Sequence, residues 1–203
     1  MKKSNRLITN LVVAAASLTA VVGVQAQNSE SSSNSGYSMY SPGKGYIGLN
    51  AGRSDYKVGN GIGVFTHDQG DVAYNLYAGS YFNNNFGFEV GYTDFGSISR
   101  AGGNTKVDGI NLSLVGKLPL NGVFNLLGKV GTTYGRTEVS SAPGSGVTAG
   151  SERGFDWSYG LGAEYAFSPQ WSAVLQYDEH YLKFAGSGRD RVSATTLGVR
   201  YGF

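Results

Sequence analysis

Leu197-Gly198-Val199-Arg200-Tyr201-Gly202-Phe203 closes the chain with a strict two-residue alternation. In an extended strand Leu197, Val199, Tyr201 and Phe203 share one face, while Gly198, Arg200 and Gly202 share the other. Chain ends usually fray and carry polar residues. An aromatic at the last position of an alternating strand therefore predicts an end held inside a sheet. One greasy face and one small or charged face suit a closed barrel in lipid. The last strand of a soluble sandwich would alternate in the same way, so the rest of the sequence has to decide.

Upstream, the same period recurs in seven further segments, giving strands over approximately 44–53, 72–82, 86–95, 107–118, 123–135, 155–167, 171–180 and 191–203. Each is close to the ~9–11 residues that a tilted membrane-crossing strand needs. Asn83–Asn85, Pro119–Gly122 and Ser168–Gln170 read as tight turns, and polar stretches at about 54–71, 96–106, 136–154 and 181–190 read as long loops. Short and long connections in alternation predict an all-β fold: an eight-stranded antiparallel up-and-down transmembrane β-barrel. An even strand count puts both termini on one side, expected to be the periplasm. A soluble eight-stranded barrel is the competing architecture, and it would be apolar inside.

The composition of the two faces separates these possibilities. Phe88, Val90 and Tyr92 alternate with Gly87, Glu89 and Gly91; Ile110, Leu112 and Leu114 with Asn111, Ser113 and, further on, Lys117; and Trp171, Leu175 and Tyr177 with Ser172, Gln176 and Asp178. Glycine, amides and charges cannot fill the core of a narrow soluble barrel, so the greasy face points outward. Rings at the strand ends, among them Phe167 and Trp171 beside short turns and Tyr92, Tyr134 and Trp157 toward the long loops, predict two aromatic girdles.

Lys2, Lys3 and Arg6, the apolar Leu11–Val24 and the small residues before Gln27 form a secretory signal over 1–26, the alternative being a retained anchor. A Ser/Asn-rich flexible leader over 27–43 and the barrel over 44–203 complete the expected organisation. About 177 residues suit one domain. Three of the 16 Lys and Arg lie in the signal, against 14 Asp and Glu, all beyond it, so the mature chain carries one more acidic than basic residue and gives no sign of nucleic-acid binding. Cys is absent, which excludes disulfides and thiolate metal sites.

Five inward charges, Glu89, Lys117, Lys129, Glu164 and Arg200, fall at similar heights when the strands are threaded up and down, so an ionic network is expected in the periplasmic half. It is read as structural filling in preference to an ion-selective constriction. Lumenal Tyr46, Tyr77 and Tyr81 face Gly48, Gly79 and Gly91 and also suit a filled interior. Asp178 and His180 share an inward face near the outer rim, with no serine placed beside them, so catalysis is not expected. Gly59–Gly63 reads as a loop tip, and Asp68 and Asp71, in the same loop as His67, read as solvated charges. No cofactor or metal is expected.

Leu197–Phe203, with its terminal Phe, resembles the C-terminal signal of bacterial outer-membrane barrels, which the barrel-assembly machinery reads. Asn75–Tyr92 resembles the second and third strands of the OmpA-type transmembrane domain, Gly162–Pro169 its sixth, and the chain end its eighth, a likeness covering about 44–203. The resemblance implies lumenal carboxylates at Glu89 and Glu164, and passage past periplasmic chaperones. The sequence departs from it at Val174 and Val115, where the family carries an inward Arg and a more central Lys. Long family members add a peptidoglycan-binding domain, which is not expected here. The expected role is a structural and surface-interaction scaffold in the Gram-negative outer membrane, meeting lipopolysaccharide and host or cell-surface ligands through its loops. A narrow channel is the alternative, and a lipid-A-modifying enzyme the remote one.

Overall fold

Every alternating segment forms a strand, and each strand pairs antiparallel with its neighbour in sequence. The computed structural model describes residues 43–57, 70–100, 103–140, 149–184 and 188–203. The strands are β1 (Gly45–Lys57), β2 (Val72–Tyr81), β3 (Phe86–Arg100), β4 (Gly103–Pro119), β5 (Phe124–Ser140), β6 (Gly150–Ala166), β7 (Trp171–Phe184) and β8 (Gly188–Gly202). They form one closed barrel, β8 returning to β1 from Tyr46↔Gly202 to Lys57↔Arg191. Phe203 N donates to Gly45 O (2.9 Å) and Gly45 N to Phe203 O (3.2 Å), which ties the last residue into this seam. The expected signal and most of the leader lie outside the described residues.

Local chemistry fixes two of the three short turns. Asn83 Oδ1 accepts from the N–H groups of Asn85 (2.9 Å) and Phe86 (2.7 Å), and Asn121 Oδ1 from those of Val123 (2.9 Å) and Phe124 (2.8 Å). Such side chains hold the backbone in a turn and so set the hairpin register.

At the opposite end the strands run further than their hydrophobic pattern. The stretches expected as loops at 96–106 and 181–190 are mostly strand, and β1, β5 and β6 also extend past their expected limits. Beyond the greasy band an outward residue need not be apolar, so the pattern stops while the ladder continues through pairs such as Asp108↔Arg136 and Lys106↔Glu138. Residues 58–69, 101–102, 141–148 and 185–187, which include Gly59–Gly63, His67 and Asp68, lie outside the described residues.

One irregularity changes which side chains enter the barrel. In β3 the register shifts between Asp94 and Ser97, where Gly96 takes φ +77°. An extra residue at a bulge reverses facing beyond it, so Phe95 and Ile98 both point inward and are buried. Asp71 anchors the bulge: its Oδ2 accepts from Ser97 N (2.7 Å) and its Oδ1 from Val72 N (2.7 Å). These two N–H donors hold the Asp71 carboxyl below the usual carboxylate range.

The result is an inside-out protein. Leu161 is 70% exposed and Trp157 69%, whereas Arg200 is 0% and Glu89 1% exposed. Apolar residues outside and charged residues within are what a barrel bathed in hydrocarbon requires.

Candidate functional site

The barrel interior is stacked in three layers. Nearest the short turns, Glu89 on β3, Lys129 on β5, Glu164 on β6 and Arg200 on β8 converge. Lys129 Nζ lies 2.5 Å from Glu89 Oε1. Arg200 bridges both carboxylates, Nη2 to Glu89 Oε2 at 3.6 Å and Nη1 to Glu164 Oε1 at 3.3 Å. Neutral donors complete the set: Tyr46 Oη donates to Glu89 (3.0 Å), Ser172 Oγ (2.7 Å) and Asn125 Nδ2 (3.0 Å) to Glu164. The Arg200 guanidinium also lies 4.3 Å from the Tyr46 ring centre and 5.2 Å from that of Tyr77. Lys117 sits at the edge of this layer, its Nζ 4.9 Å from the Tyr81 ring centre.

Glycine makes room for the tyrosines. A Cβ at Gly79 would lie 2.5 Å from Tyr46 Cζ, and one at Gly48 would collide with Tyr77. Val115 and Val174 are buried inward and supply hydrocarbon to the lumen.

The middle layer is polar and uncharged over most of its wall. Asn50 Nδ2 donates to Gln176 Oε1 (2.6 Å), and Tyr77 Oη to Asn50 Oδ1 (3.4 Å). His180 is buried, its Nδ1 2.7 Å from Thr133 Oγ1 and its ring edge-on to Phe95 (4.9 Å between centres). The expectation that no serine adjoins His180 is corrected: Ser158 is its partner across β6 and β7. Counting outward from the turn at 167–170 would have found this pair. Asp178 is buried two residues below His180. His180 therefore lies well beneath the rim and not near it.

The third layer was not anticipated. Toward the long-loop end Tyr56, Phe95, Ile98, Val107, Leu182, Phe184 and Val192 form an apolar cluster inside the barrel. The upper end of β7 supplies the centre of this plug by leaning inward. Thr137 Oγ1, on the inner face of β5, donates to Lys183 O (2.6 Å), and Leu182 abuts Gly135. Tyr56, Ile98, Leu182 and Phe184 all fall in stretches expected as loops, which is why the plug was missed.

On the outer wall Trp171 packs on Tyr201 (4.9 Å) and Phe124 on Tyr165 (4.8 Å) beside the short turns, with Phe167 exposed nearby. Tyr134 packs on Phe155 (4.8 Å) toward the other end, where Trp157 is exposed and Tyr92 half-buried. Leu197 and Val199 of the closing strand face outward, and Gly198 and Arg200 inward. On the same wall Glu179 is sealed by Tyr177 Oη (2.7 Å), Tyr159 Oη and Arg191 Nη1 (3.1 Å). Among the described residues no group of three or more His, Asp or Glu could hold a metal ion.

A family model described as outer membrane protein beta-barrel domain matches residues 14–203. No curated protein matches the chain. Among solved structures, it is similar to Ail, the attachment invasion locus protein of Yersinia pestis, with 22% identity over 80% of this chain and 100% of that one (TM-score 0.56). It is also similar to Neisserial surface protein A, with 16% identity over 78% and 97% (TM-score 0.63). The N-terminal β-barrel domain of Pseudomonas aeruginosa OprF shares 15% identity over 78% and 97% (TM-score 0.50). At these identities the likeness is one of fold.

Proposed function

The chain belongs to the outer membrane protein beta-barrel domain family, and from that premise we propose that it is a sealed scaffold in the Gram-negative outer membrane whose long-loop end makes surface contacts. Both termini face the periplasm, and assembly uses the barrel-assembly machinery and periplasmic chaperones. The ionic residues Glu89, Lys129, Glu164 and Arg200, with Lys117 at their edge, serve to fix the interior and not to select ions.

One observation carries this reading: the lumen is filled at two levels, by an ion-paired lattice below and an apolar plug above. Eight strands leave an interior that side chains fill, and an apolar constriction excludes water as well as ions. Activity that needs access to solutes then belongs to the rim and the outer wall. Two proteins of the same architecture carry names that speak of attachment and of the cell surface, which fits contact at the rim. The outward aromatic belts and apolar wall meet lipid, with lipopolysaccharide as the outer-leaflet partner.

Single-channel recording in planar bilayers tests the reading. The expected result is no steady current at moderate voltage. Large, reproducible openings would refute it and favour the narrow channel.

A further inference from the structure

The middle layer has more polar atoms than it has partners for them. Asn75 Oδ1, Thr93 Oγ1, Asn111 Oδ1, Ser158 Oγ, Gln176 Nε2 and His180 Nε2 lack a hydrogen-bond partner among the described residues. All six belong to buried, inward-facing side chains, the most open being Asn111 at 6% exposure. Leaving one such group unpaired costs about 1–3 kcal/mol. Buried polar atoms of native proteins are almost always satisfied, by the protein itself or by ordered water.

The register brings five of the six to one height. A row followed strand by strand round the wall from Tyr46 returns to β1 at Tyr56, ten residues (56 − 46) higher. Corrected for that climb, Asn75, Thr93, Asn111, Ser158 and His180 lie within about two residues of a common level. Gln176 lies just below them, tied to Asn50. The six therefore line one compartment, closed beneath by the ion-paired layer and above by the apolar plug.

A carboxylate faces the same compartment. Asp178 points inward from β7, 7% exposed, and makes no hydrogen bond or ion pair among the described residues. Lys129 stands two strands away on the same register row, with Gly160 between them. A Cβ at Gly160 would collide with Asp178 Oδ1, so the carboxylate lies across this glycine. Lys129 forms its ion pair with Glu89 instead. A gap with one charge on each side is a place for a bridging water. The mixture of atoms selects the same ligand: the unpartnered atoms of Asn75, Asn111 and Asp178 only accept, that of Gln176 only donates, and those of Thr93, Ser158 and His180 can do either.

We infer that the middle layer is an occluded hydration site, in which about three waters, each with about two to four polar partners, bridge the six orphaned atoms and link the Asp178 carboxylate to the Lys129 ammonium. Water then completes the polar middle of the barrel without further ion pairs. The inference deepens the sealed-lumen reading and rests on it, since both closures are needed to hold this water apart from the bulk.

The test uses the full barrel in phosphatidylcholine nanodiscs, with water-selective NOE and ROE spectra of the side-chain amides. The expected result is water cross-peaks at Asn75, Asn111 and Gln176 that carry the sign of dipolar contact and not of proton exchange. They should persist when a gadolinium chelate in the buffer erases the cross-peaks of surface water. Thr93→Val, which replaces an unpartnered hydroxyl by a methyl of the same shape, reads the energetics. It should lower the urea midpoint in vesicles, because a bound water loses a partner, whereas removing a hydroxyl buried dry relieves a penalty and raises it. Absence of the three cross-peaks overturns the inference, as does an unchanged or raised midpoint in Thr93→Val. A midpoint that shifts on replacing sodium by choline in the unaltered barrel, but not in Asp178→Asn, marks a bound cation and also overturns it. Cross-peaks erased by the chelate mark water continuous with the bulk and overturn the occlusion. The sealed-lumen reading is judged separately, by the bilayer current.

Discussion

Replacing Glu164 by Gln removes one charge from the ion-paired layer while keeping the size and shape of the side chain. Glu164 is buried and accepts from Ser172 (2.7 Å), Asn125 (3.0 Å) and Arg200 (3.3 Å). At 3.3 Å a unit-charge pair in an effective dielectric of about 20 is worth about 5 kcal/mol. Part of that loss is offset, because the carboxylate no longer has to be desolvated and Arg200 retains Glu89 at 3.6 Å. The expected destabilisation is about 3 kcal/mol, at the lower end of what breaking a buried pair costs. Urea unfolding in phospholipid vesicles reads it directly, since both tryptophans, Trp157 and Trp171, face outward and report loss of the lipid environment. Glu138→Gln is the internal control: its pair with Arg136 has side chains 37% and 50% exposed, and pairs of that kind contribute at most about 1 kcal/mol. If Glu164→Gln costs no more than Glu138→Gln, the layer is not a tight network and its structural role is wrong. A double-mutant cycle with Arg200→Gln should then return a coupling of about 2 kcal/mol if the two side chains act together.

Two further outcomes follow from the outer wall and the rim. Leu161→Arg places a charge on the lipid face at a position 70% exposed, and should cost about 2–4 kcal/mol in vesicles; an unchanged folding free energy there would contradict the assignment of the outer face. Asp71 has its carboxyl pKa lowered by the Ser97 and Val72 N–H groups, so its contribution to holding the β3 bulge is present above the ordinary carboxylate pKa and is lost as pH falls through the lowered value. Amide exchange at Ser97 should therefore be protected at neutral pH and become faster, after correction for intrinsic rates, in strong acid or in Asp71→Asn; protection independent of both would remove Asp71 from that role.

The strand order, the closing seam and the direction of each face were legible because lipid imposes a period-two apolar pattern on every strand that crosses it. The pattern carried no information past the greasy band. Tyr56, Leu182 and Phe184 continue the inward parity of β1 and β7, but their outward neighbours are polar, so these stretches looked like loops. Ile98 was hidden for another reason: the bulge at Gly96 moves the inward set from odd to even numbers in β3. A lone glycine within Asp94-Phe95-Gly96-Ser97 is the local trace of that bulge. The charges at Glu89, Lys129, Glu164 and Arg200 could be placed by height, but their pairing depends on side-chain reach across the lumen. The inward lean of β7 has no local signature, since it is set by the fit of Leu182 and Phe184 into a cavity that several other strands build.

The four members of the ion-paired layer come from β3, β5, β6 and β8, spaced through almost the whole chain. Arg200, which joins the two carboxylates, resides on the strand that pairs with β1. Glu89 and Glu164 therefore have their charges fully answered only in a sheet that contains β8. A sheet of seven strands would hold two carboxylates in a forming interior with one of their main counter-ions missing, and that state is penalised electrostatically as well as by its open edges. Closure and neutralisation are therefore coupled, because the strand that completes the ladder with β1 also carries the bridging arginine. The same arrangement disfavours a premature seven-strand closure, so the placement of one arginine helps count the strands.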